Sequence, residues 1–562
     1  MNKTGSQIII ETLAEHGVKN IFGYPGGSVL NIYDELYKNS DRITHFLTSH
    51  EQHAGHAADG YARATGEVGV VLATSGPGAT NLVTPIATAY MDSVPLVALT
   101  GNVERKLIGK DSFQEVNTTG ITMPVTKHNY LVSDIDDLAD NLRNAFRIAN
   151  SGRKGPVLVD IPKDITAAVT DFESRAPIEQ ALPELNREQV EQAVSLINES
   201  VRPFIYTGGG VISSNASEQL AEFAKKIKAP VSSSLMAQGA FDQRDPAYIG
   251  MLGMHGTLAA AKAIKECDLL IVLGARFSDR VIGDPKKFAS HANVIHVDID
   301  SAEHNKNIIP EAIVLGDVKH VLSAFAPFIK EKTSNVWLDS FSEYRRDRKL
   351  NIHQIATTQY PVTPQAVLET LDDILDDNFV VTTEVGQSQM WAAMYLTYRS
   401  PRSFVSSGGL GTMGYGLGAA IGAAVGKPDS TIINIAGDGS FAMNVGELFT
   451  LSKYGFPVVQ IVFNNSVLGM VRQWQTLFYG KRYSQTTLAE PNHPNVDYGK
   501  LADAFGLSYF LVDKAESIRP SLEKALSLGK PVLIECVIDT DMAVLPMTPA
   551  GKDITSPMLT LE

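Results

Sequence analysis

An apolar strand runs into a glycine turn at Ile432-Ile433-Asn434-Ile435-Ala436-Gly437-Asp438-Gly439-Ser440. A second apolar strand, residues 458–463, ends at Asn464-Asn465, with 24 residues between the GDG triplet and this Asn pair. The pattern predicts parallel strands of an open α/β sheet, which binds ligands at the carboxyl ends of its strands. Asp438 and Asn465 would offer two oxygen donors there, which suit Mg²⁺ holding a diphosphate. An ordinary βαβ crossover with Gly- and Asn-rich loops is the alternative, but the combined spacing favours the metal–diphosphate site.

Strands of the same apolar type alternate with helices in three parts of the chain. The first part ends with a strand at residues 155–162, the second contains strands at 203–207 and 269–273, and the third ends at 531–538. Nearly continuous apolar strands separated by helices predict parallel sheets covered on both faces. The predicted fold class is therefore α/β, and the matching last strands of the outer parts suggest that these share one topology.

Composition marks the boundaries between the three parts. Residues 170–189 are acidic and irregular, and residues 331–363 are rich in charge, so both segments predict connections between domains. The predicted division of the chain is as follows: domains at residues 1–170, 190–335 and 360–540, and a C-terminal arm or lid at residues 541–562.

Overall composition limits the functional class. The 562 residues are 44% hydrophobic and 20% charged, as in globular proteins, and the net charge of −14 argues against a nucleic-acid partner. The N-terminus lacks a signal-peptide core, and no apolar run reaches membrane-spanning length. Cys267 and Cys536 form no ligand pattern and are expected to be buried structural thiols. These features predict a cytoplasmic enzyme with no membrane partner.

Two other segments have both a functional and a structural interpretation. Glu51 stands where a strand meets a helix, so it is either a reactive acid or a partner of the helix dipole. The glycine turn at residues 23–28 either brings backbone close to a ligand or is a tight structural turn. In the middle part, strands end at the glycines of residues 208–210 and 274, and a later strand, at residues 294–300, ends with an acidic residue; these strand ends could hold a dinucleotide, although GGG is weak evidence.

Long motifs in a fixed order make the chain similar, nearly end to end, to the catalytic large subunits of acetohydroxyacid synthase (acetolactate synthase), of the thiamine-diphosphate-dependent family. The resemblance implies three doubly wound parallel-sheet domains: pyrimidine-binding, central FAD-associated and diphosphate-binding. Besides GDG…NN, the matching motifs are YPGG at 24–27, SHEQHAGHAADGYAR at 49–63, TSGPGATN at 74–81, SFQE at 112–115, TKHNYLV at 126–132, MLGMHG at 251–256, GARFSDRV at 274–281, SGGLGTMGYGLGAAIGA at 407–423 and LGMVRQWQ at 468–475.

The resemblance implies a thiamine diphosphate site with roles for individual residues. Glu51 would hydrogen-bond N1′ of the aminopyrimidine and promote loss of the thiazolium C2 proton, and Met413 would hold the cofactor bent. Asp438, Asn465 and the Val467 carbonyl would bind Mg²⁺. The remaining implied contacts are Pro25, Gly26, Val385, Gly386, Gln387, Ser388, Gly411, Gly437, Gly439, Ser440, Leu468, Gly469 and Met470.

The resemblance also implies the substrates: two pyruvates give 2-acetolactate, or pyruvate and 2-ketobutyrate give 2-aceto-2-hydroxybutyrate, each with loss of CO₂. This is the first common step of branched-chain amino-acid biosynthesis. Trp474 would line the acceptor pocket, Arg280 would face the acceptor carboxylate, and Phe113, Gln114 and Lys127 would line the channel. FAD would be structural, with these implied contacts: Gly209, His255, Gly274, Arg276, Arg280, Asp298, Asp317 and Gln389.

The sequence is compatible with several alternative functions and partners. The RFSDR motif favours the FAD-containing biosynthetic branch over the FAD-independent catabolic enzyme or another thiamine-diphosphate carboligase or decarboxylase. A noncatalytic flavin- or nucleotide-binding protein is the alternative of a different class, against which Glu51 argues. Glu51 and Asp438 lie in different domains, and the family places each site between two subunits, so we expect a homodimer or tetramer. A small regulatory subunit is implied by the family alone.

Overall fold

The computed structural model describes residues 1–178, 181–346, 354, 356–489 and 496–561. The described residues form three six-stranded parallel sheets, each covered by helices, and one small antiparallel pair of strands. The predicted α/β class with three parallel-sheet domains is therefore confirmed. Parts of four predicted segments lie outside the described residues: 179–180 in the first connection, 347–353 and 355 in the second, 490–495 in the third domain, and 562 in the arm.

The first domain contains a six-stranded parallel sheet and a separate antiparallel pair formed by its first and last strands. The strands of this domain are β1 (Asn2–Thr4), β2 (Asn20–Gly23), β3 (Thr44–Leu47), β4 (Gly69–Ala73), β5 (Leu96–Asn102), β6 (His128–Leu131), β7 (Pro156–Pro162) and β8 (Val169–Asp171). Its helices are α1 (Gly5–Glu15), α2 (Leu30–Lys38), α3 (Glu51–Thr65), α4 (Pro77–Thr80), α5 (Val83–Asp92), α6 (Thr118–Thr122), α7 (Leu138–Ala149) and α8 (Lys163–Ala167). The sheet order is β3-β2-β4-β5-β7-β6. The segment at 155–162, expected to be the last strand, is followed by β8, which pairs with β1.

The middle domain has the sheet order β11-β10-β9-β12-β13-β14, so the strand order reverses between β9 and β12. Its strands are β9 (Pro203–Thr207), β10 (Val231–Ser233), β11 (Tyr248–Met251), β12 (Leu269–Leu273), β13 (Asn293–Asp298) and β14 (Ala312–Leu315). Its helices are α9 (Arg187–Glu199), α10 (Gly209–Ser213), α11 (Ser217–Ile227), α12 (Leu258–Glu266), α13 (Asp279–Ile282), α14 (Val318–Phe325), α15 (Val336–Asp339) and α16 (Ser342–Arg346). A reversal of this kind creates a crevice at the carboxyl ends of the strands.

The third domain has the sheet order β16-β15-β17-β18-β20-β19, which matches the first domain strand for strand. The expected common topology of the outer domains is confirmed. Its strands are β15 (Phe379–Thr383), β16 (Phe404–Val405), β17 (Thr431–Gly437), β18 (Val458–Asn464), β19 (Ser508–Val512) and β20 (Val532–Val537). Its helices are α17 (Pro364–Ile374), α18 (Gln387–Tyr395), α19 (Gly416–Gly426), α20 (Asp438–Phe441), α21 (Leu448–Tyr454), α22 (Gly469–Phe478), α23 (Tyr498–Ala504) and α24 (Ile518–Ser527).

The outer domains pack against each other through α3 and α19, and one hydrophobic core includes residues of both. A Cβ added at Gly60 would lie 2.3 Å from the carbonyl oxygen of Ala419. Small residues along α3 therefore allow the two helix backbones to approach closely, which explains their recurrence after Glu51 in the sequence.

The C-terminal residues form an arm across the middle domain. The backbone N–H of Thr548 donates to the Met254 carbonyl (2.7 Å), and that of Asp284 donates to the Lys552 carbonyl (3.0 Å). Val544 is fully buried. The arm is thus held by backbone hydrogen bonds and apolar packing.

Both cysteines are buried free thiols, as predicted. Burial raises the pKa of the Cys267 thiol to about 12, which keeps it in the unreactive protonated form. Among the described residues, no helix combines the length and apolar composition needed to cross a membrane.

Candidate active site and cofactor cavity

Asp438 and Asn465 lie directly beyond the ends of two neighbouring parallel strands. β17 pairs with β18 in a register that places Gly437 beside Phe463. The Asp438 carboxylate is buried and accepts hydrogen bonds from the backbone N–H groups of Gly439 (2.9 Å) and Ser466 (2.7 Å). These bonds fix the carboxylate at the sheet edge, where the sequence predicted it.

The turn after β18 is held in a defined shape. Ser466 has a φ of +59°, in the left-handed region, and the Asn465 amide oxygen accepts from the Val467 N–H at 3.4 Å. Leu468 N–H donates to the Thr486 carbonyl, and Leu488 N–H donates to the Ser466 carbonyl, both at 2.8 Å. The segment at residues 486–488 therefore braces the turn, although nothing in its sequence pointed to such a role.

The backbone beside these side chains leaves room for a diphosphate. A Cβ at Gly437 or at Gly386 would find no atom within 4 Å, so both glycines border open space. Three helices, α18, α20 and α22, begin at this edge, and helix N-termini present free N–H groups to phosphate oxygens. These features fit the predicted diphosphate site, because larger residues in place of the two glycines would occupy the space that the ligand needs.

The donor set also fits Mg²⁺. Among the described residues, no three His, Cys, Asp or Glu side chains cluster as metal ligands. A metal at this edge would therefore depend on one carboxylate, one amide oxygen and the Val467 carbonyl, completed by phosphate and water oxygens. Mg²⁺ is typically bound in this way.

Glu384, which the sequence reasoning missed, lies directly behind this edge. Its carboxylate is fully buried and accepts from the Ser440 hydroxyl (2.7 Å), the Leu417 N–H (3.1 Å) and the Asn444 amide. The Ser440 hydroxyl accepts in turn from the Gly414 N–H (3.1 Å). Glu384 thus joins the GDGS turn to the turn that carries Met413, which is half-buried. The sequence signal that could have identified Glu384 is an acidic residue directly after the apolar strand β15.

The other residues predicted to contact the cofactor at this edge lie on neighbouring turns and at the beginnings of helices. Gly411, with a φ of +70°, is exposed beside Val385, and a Cβ at Gly469 would lie 2.0 Å from Oε1 of Gln387. Gln387 donates to the Gln473 amide oxygen (3.1 Å), and Ser388 is buried in the first turn of α18. The close approach of Gly469 to Gln387 brings the beginnings of α18 and α22 together.

Glu51 begins α3 at the carboxyl edge of the first sheet. Its Oε2 accepts a hydrogen bond from the Asn81 amide at 3.0 Å. The turn that contains Pro25 and Gly26 lies at the same edge of the sheet, beside the loop that follows β4. The Ser28 hydroxyl accepts there from the Ser75 N–H at 3.0 Å. A Cβ at Gly26 would lie 2.4 Å from the Thr74 side chain, so glycine is required there.

A cavity of about 720 Å³ lies where the three domains meet. It opens at the reversal between β9 and β12, and all eight predicted FAD contacts line it: Gly209, His255, Gly274, Arg276, Arg280, Asp298, Asp317 and Gln389. Five residues predicted for the thiamine diphosphate or acceptor sites also line it: Val385, Gly386, Gly411, Met470 and Trp474. Glu51 is not among its described lining residues.

The first domain supplies one wall of the cavity that the sequence reasoning did not predict. The lining residues from this domain are Asp92, Ser93, Asn150, Gly152, Arg153 and Lys154. Arg153 is tied across to the middle domain by ion pairs with Asp300 (3.2 Å) and Glu303 (2.8 Å). The wall depends on domain packing, because these residues lie far from the glycine turns in sequence.

The chemistry of the cavity fits a flavin dinucleotide. Its volume falls within the usual range for ligand sites, and Arg276, Arg280 and Lys154 line it, where they could supply cations for a diphosphate. Asp298 ends β13, where a carboxylate can accept from a ribose hydroxyl, and burial raises its pKa to about 6. Burial lowers the pKa of His255 to about 4, and its Nδ1 donates to the Pro546 carbonyl (2.9 Å), leaving Nε2 as an acceptor.

The glycines of the middle domain have a structural role as well. A Cβ at Gly208 would lie 2.2 Å from the Gly274 carbonyl oxygen, and one at Gly210 would lie 2.7 Å from the Gly274 Cα. The two glycine turns therefore pack on each other. Gly209 also lines the cavity, so the interpretation of the GGG segment as a ligand-binding turn stays a prediction beside this structural role.

The residues predicted for substrate binding divide into two groups. Trp474 and Arg280 both line the cavity, and the Arg280 side chain is 59% exposed. Phe113 (88% exposed) and Gln114 lie in the first domain outside the described lining. Lys127 also lies there, and its ammonium donates to the carbonyls of Ile148 and Ser151 at the end of α7. Burial lowers the Lys127 pKa to about 8.

Comparison with known proteins matches each domain separately. The chain matches the family models described as thiamine pyrophosphate enzyme N-terminal TPP binding domain (residues 3–121), central domain (190–325) and C-terminal TPP binding domain (384–536). The matches follow the order of the three sheets, and the chain is a member of the thiamine pyrophosphate enzymes.

Relatives that match nearly the whole chain place it in one family within the thiamine pyrophosphate enzymes. A probable acetolactate synthase large subunit from Methanocaldococcus jannaschii is 46% identical over 98% of this chain and 94% of its own length. The acetolactate synthase large subunits of Cyanidium caldarium and Corynebacterium glutamicum are each 45% identical over 98% of this chain, and over 96% and 89% of their own lengths. The chain belongs to the family of acetolactate synthase large subunits.

Proposed function

We propose that this enzyme condenses two 2-ketoacids with loss of CO₂, using thiamine diphosphate and Mg²⁺. Two pyruvates would give 2-acetolactate, and pyruvate with 2-ketobutyrate would give 2-aceto-2-hydroxybutyrate, which opens branched-chain amino-acid biosynthesis. The observation that carries the proposal is the placement of Asp438 and Asn465 at adjacent strand ends, beside backbone left open by Gly437 and Gly386. The relatives named acetolactate synthase support the choice of substrates.

In this proposal, some residues of the chain bind the metal and cofactor, and Glu51 holds a proton of the cofactor. Bound thiamine diphosphate supplies an acidic thiazolium carbon and an electron sink for decarboxylation. Asp438, Asn465 and the Val467 carbonyl would hold the metal, and Glu51 would hold a proton at N1′ of the aminopyrimidine.

Trp474 and Arg280 would orient the second ketoacid. The indole offers an apolar face to its alkyl group, and the guanidinium pairs with its carboxylate. Both side chains line the same cavity as Val385 and Gly386, which supports an acceptor pocket next to the diphosphate edge.

A complete site would require two copies of the chain. Glu51 is held by Asn81 in the first domain and does not line the cavity that reaches Val385 and Met470. Exposed apolar residues lie on both outer domains, including Phe113, Met123 and Met443. We therefore propose a homodimer or a larger assembly in which Glu51 of one copy serves the diphosphate site of the other. The relatives' names as large subunits support a smaller partner.

FAD is proposed as a structural ligand of the 720 Å³ cavity, consistent with the biosynthetic branch. The test incubates the purified protein with pyruvate, thiamine diphosphate and Mg²⁺, with and without FAD, and identifies the product. We expect 2-acetolactate and CO₂ only with thiamine diphosphate and Mg²⁺, and full activity only with FAD. Acetaldehyde as the sole product would indicate a decarboxylase, and full activity of a flavin-free protein would indicate the catabolic type.

A further inference from the structure

Glu447 is a fully buried carboxylate that bridges the outer domains. It lies in the third domain between Asn444 and α21, and its Oε1 accepts from the backbone N–H of Ser49 (3.0 Å) and Nδ1 of His53 (3.0 Å). Its Oε2 accepts from the same Ser49 N–H (3.2 Å) and from the Thr450 hydroxyl (2.6 Å). Two of its three partners therefore belong to the first domain.

These partners lie on either side of Glu51 in the sequence. Ser49 stands two residues before Glu51, and His53 stands two residues after it, in the first turn of α3. The Ser49 hydroxyl also donates to the Gly446 carbonyl at 2.8 Å. The backbone on which Glu51 stands is thus held from the third domain at two points, while the Glu51 carboxylate itself is held by Asn81.

Substitution of Glu447 is expected to disturb the hydrogen bonds that join the two outer domains. A buried carboxylate requires hydrogen-bond donors, and removal of its charge leaves those donors without an equivalent acceptor. Among its partners, the Ser49 N–H is a backbone group, so a change at Glu447 acts on the backbone at the beginning of α3. A displacement there would move the Glu51 side chain.

We propose that Glu447 is a positioning residue for Glu51. By accepting from Ser49 and His53, it sets where the Glu51 carboxylate lies relative to the aminopyrimidine. This inference rests on the proposed function, because it assigns no chemistry to Glu447 itself.

The test uses the full chain carrying Glu447→Gln, loaded with thiamine diphosphate and Mg²⁺. Glutamine keeps the length of the side chain but removes the charge and one acceptor oxygen. We expect kcat and the rate at which the C2 proton of the bound cofactor exchanges with D₂O to fall together by about 10- to 100-fold. The KM for pyruvate and the half-saturating concentration of thiamine diphosphate should change by less than about 3-fold.

Thr450→Val is the matched control. It removes the 2.6 Å hydrogen bond to the same carboxylate but leaves the bonds from Ser49 and His53 in place. We expect its exchange rate to stay within about 2-fold of the unchanged enzyme. An equal loss of exchange in Thr450→Val would overturn the inference, because it would show that general loss of local structure is responsible.

A second variant keeps the test decisive if Glu447→Gln does not fold. His53→Phe preserves a ring at this buried position but removes the donor to Glu447, and it should lower the exchange rate by a smaller factor. An unchanged exchange rate in a folded, fully loaded Glu447→Gln or His53→Phe variant would also overturn the inference. Failure of the proposed function looks different: the unchanged enzyme would then neither form acetolactate nor accelerate exchange.

Discussion

Gly422 of α19 packs directly on the backbone of Ala57 in α3: a Cβ at Gly422 would lie 1.8 Å from the Ala57 carbonyl oxygen. The neighbouring pair of Gly60 and Ala419 shows the same contact with the roles of the two helices exchanged. Because α3 begins at Glu51, this crossing holds the helix that carries the predicted acid against the third domain of the same chain.

Gly422→Ala should therefore destabilise the protein. The added methyl group cannot fit against a backbone carbonyl, so the helices must separate, at a cost of at least about 2 kcal/mol. Thermal unfolding would measure the loss. Gly27→Ala, where a Cβ would find no atom within 4 Å, is the control and should melt within about 1 °C of the unchanged protein. Equal melting temperatures for all three proteins would contradict this account of the crossing.

Glu51→Gln should abolish most of the activity but leave cofactor binding intact. The amide cannot exchange a proton with the aminopyrimidine, so we expect kcat to fall by about 100-fold or more. Acetolactate formation and thiamine diphosphate titration would be measured together. Glu67→Gln, at an exposed position of the same domain, should behave as the unchanged enzyme. Near-normal activity of Glu51→Gln would refute the proposed role.

Asp438→Asn should weaken metal and cofactor binding together. The substitution removes the one carboxylate of the predicted donor set, so the Mg²⁺ concentration for half-maximal activity should rise by about 10-fold or more. Titration at several cofactor concentrations would measure this. Asp429→Asn, at an exposed position before β17, is the control. Unaltered Mg²⁺ dependence in Asp438→Asn would remove this residue from the metal site.

Asp92→Asn should weaken flavin binding. The Asp92 carboxylate lines the cavity and accepts from the backbone N–H groups of Gly409 (2.7 Å) and Gly408 (3.0 Å), with Arg63 as its buried ion-pair partner (2.9 Å). Asparagine lacks the charge and one of the two acceptor oxygens that the turn and Arg63 share, so the FAD dissociation constant should rise by about 10-fold. Quenching of flavin fluorescence would report it. Asp41→Asn, at an exposed position, should show no change.

Asp160 should make stability depend on pH. Burial raises the pKa of its carboxyl from the ordinary 3.8 to about 7, against hydrogen bonds from Thr100 and Asn102, both at 2.6 Å. Below pH 4 the group is protonated in both folded and unfolded states and costs nothing. As the pH rises from about 4 to about 7, the unfolded chain loses the proton first, so folding becomes less favourable, and the cost is constant above pH 7.

Asp160→Asn should therefore stabilise the protein at pH 8 by on the order of 3 kcal/mol and have little effect near pH 4. The amide keeps the shape of the side chain and can bond to both neighbours. Urea unfolding at the two pH values would measure the difference. Asp134→Asn, at an exposed position, should show no such dependence. Equal stabilisation by Asp160→Asn at both pH values would contradict the assigned pKa.

Much of the fold was predictable because its signals are local. Apolar strands, glycine turns and alternating helices identified three parallel sheets, and the similar last strands indicated the common topology of the outer domains. The predicted residues of the third domain also lie on adjacent turns, since neighbouring strands of one parallel sheet end at one edge. The role of Glu384 escaped prediction because its partners Leu417 and Ser440 come from other turns.

The sequence by itself determined the strand-end position of Asp438, the location of Glu51 at the beginning of a helix, and membership in the thiamine-diphosphate family. These properties depend on spacing along the chain and on motif identity. Only the tertiary structure decided that the first domain forms a wall of the cavity, that Lys127 is held at the end of α7, and that Glu447 holds Ser49. Such contacts join residues far apart in sequence, and they arise from domain packing that local patterns do not specify.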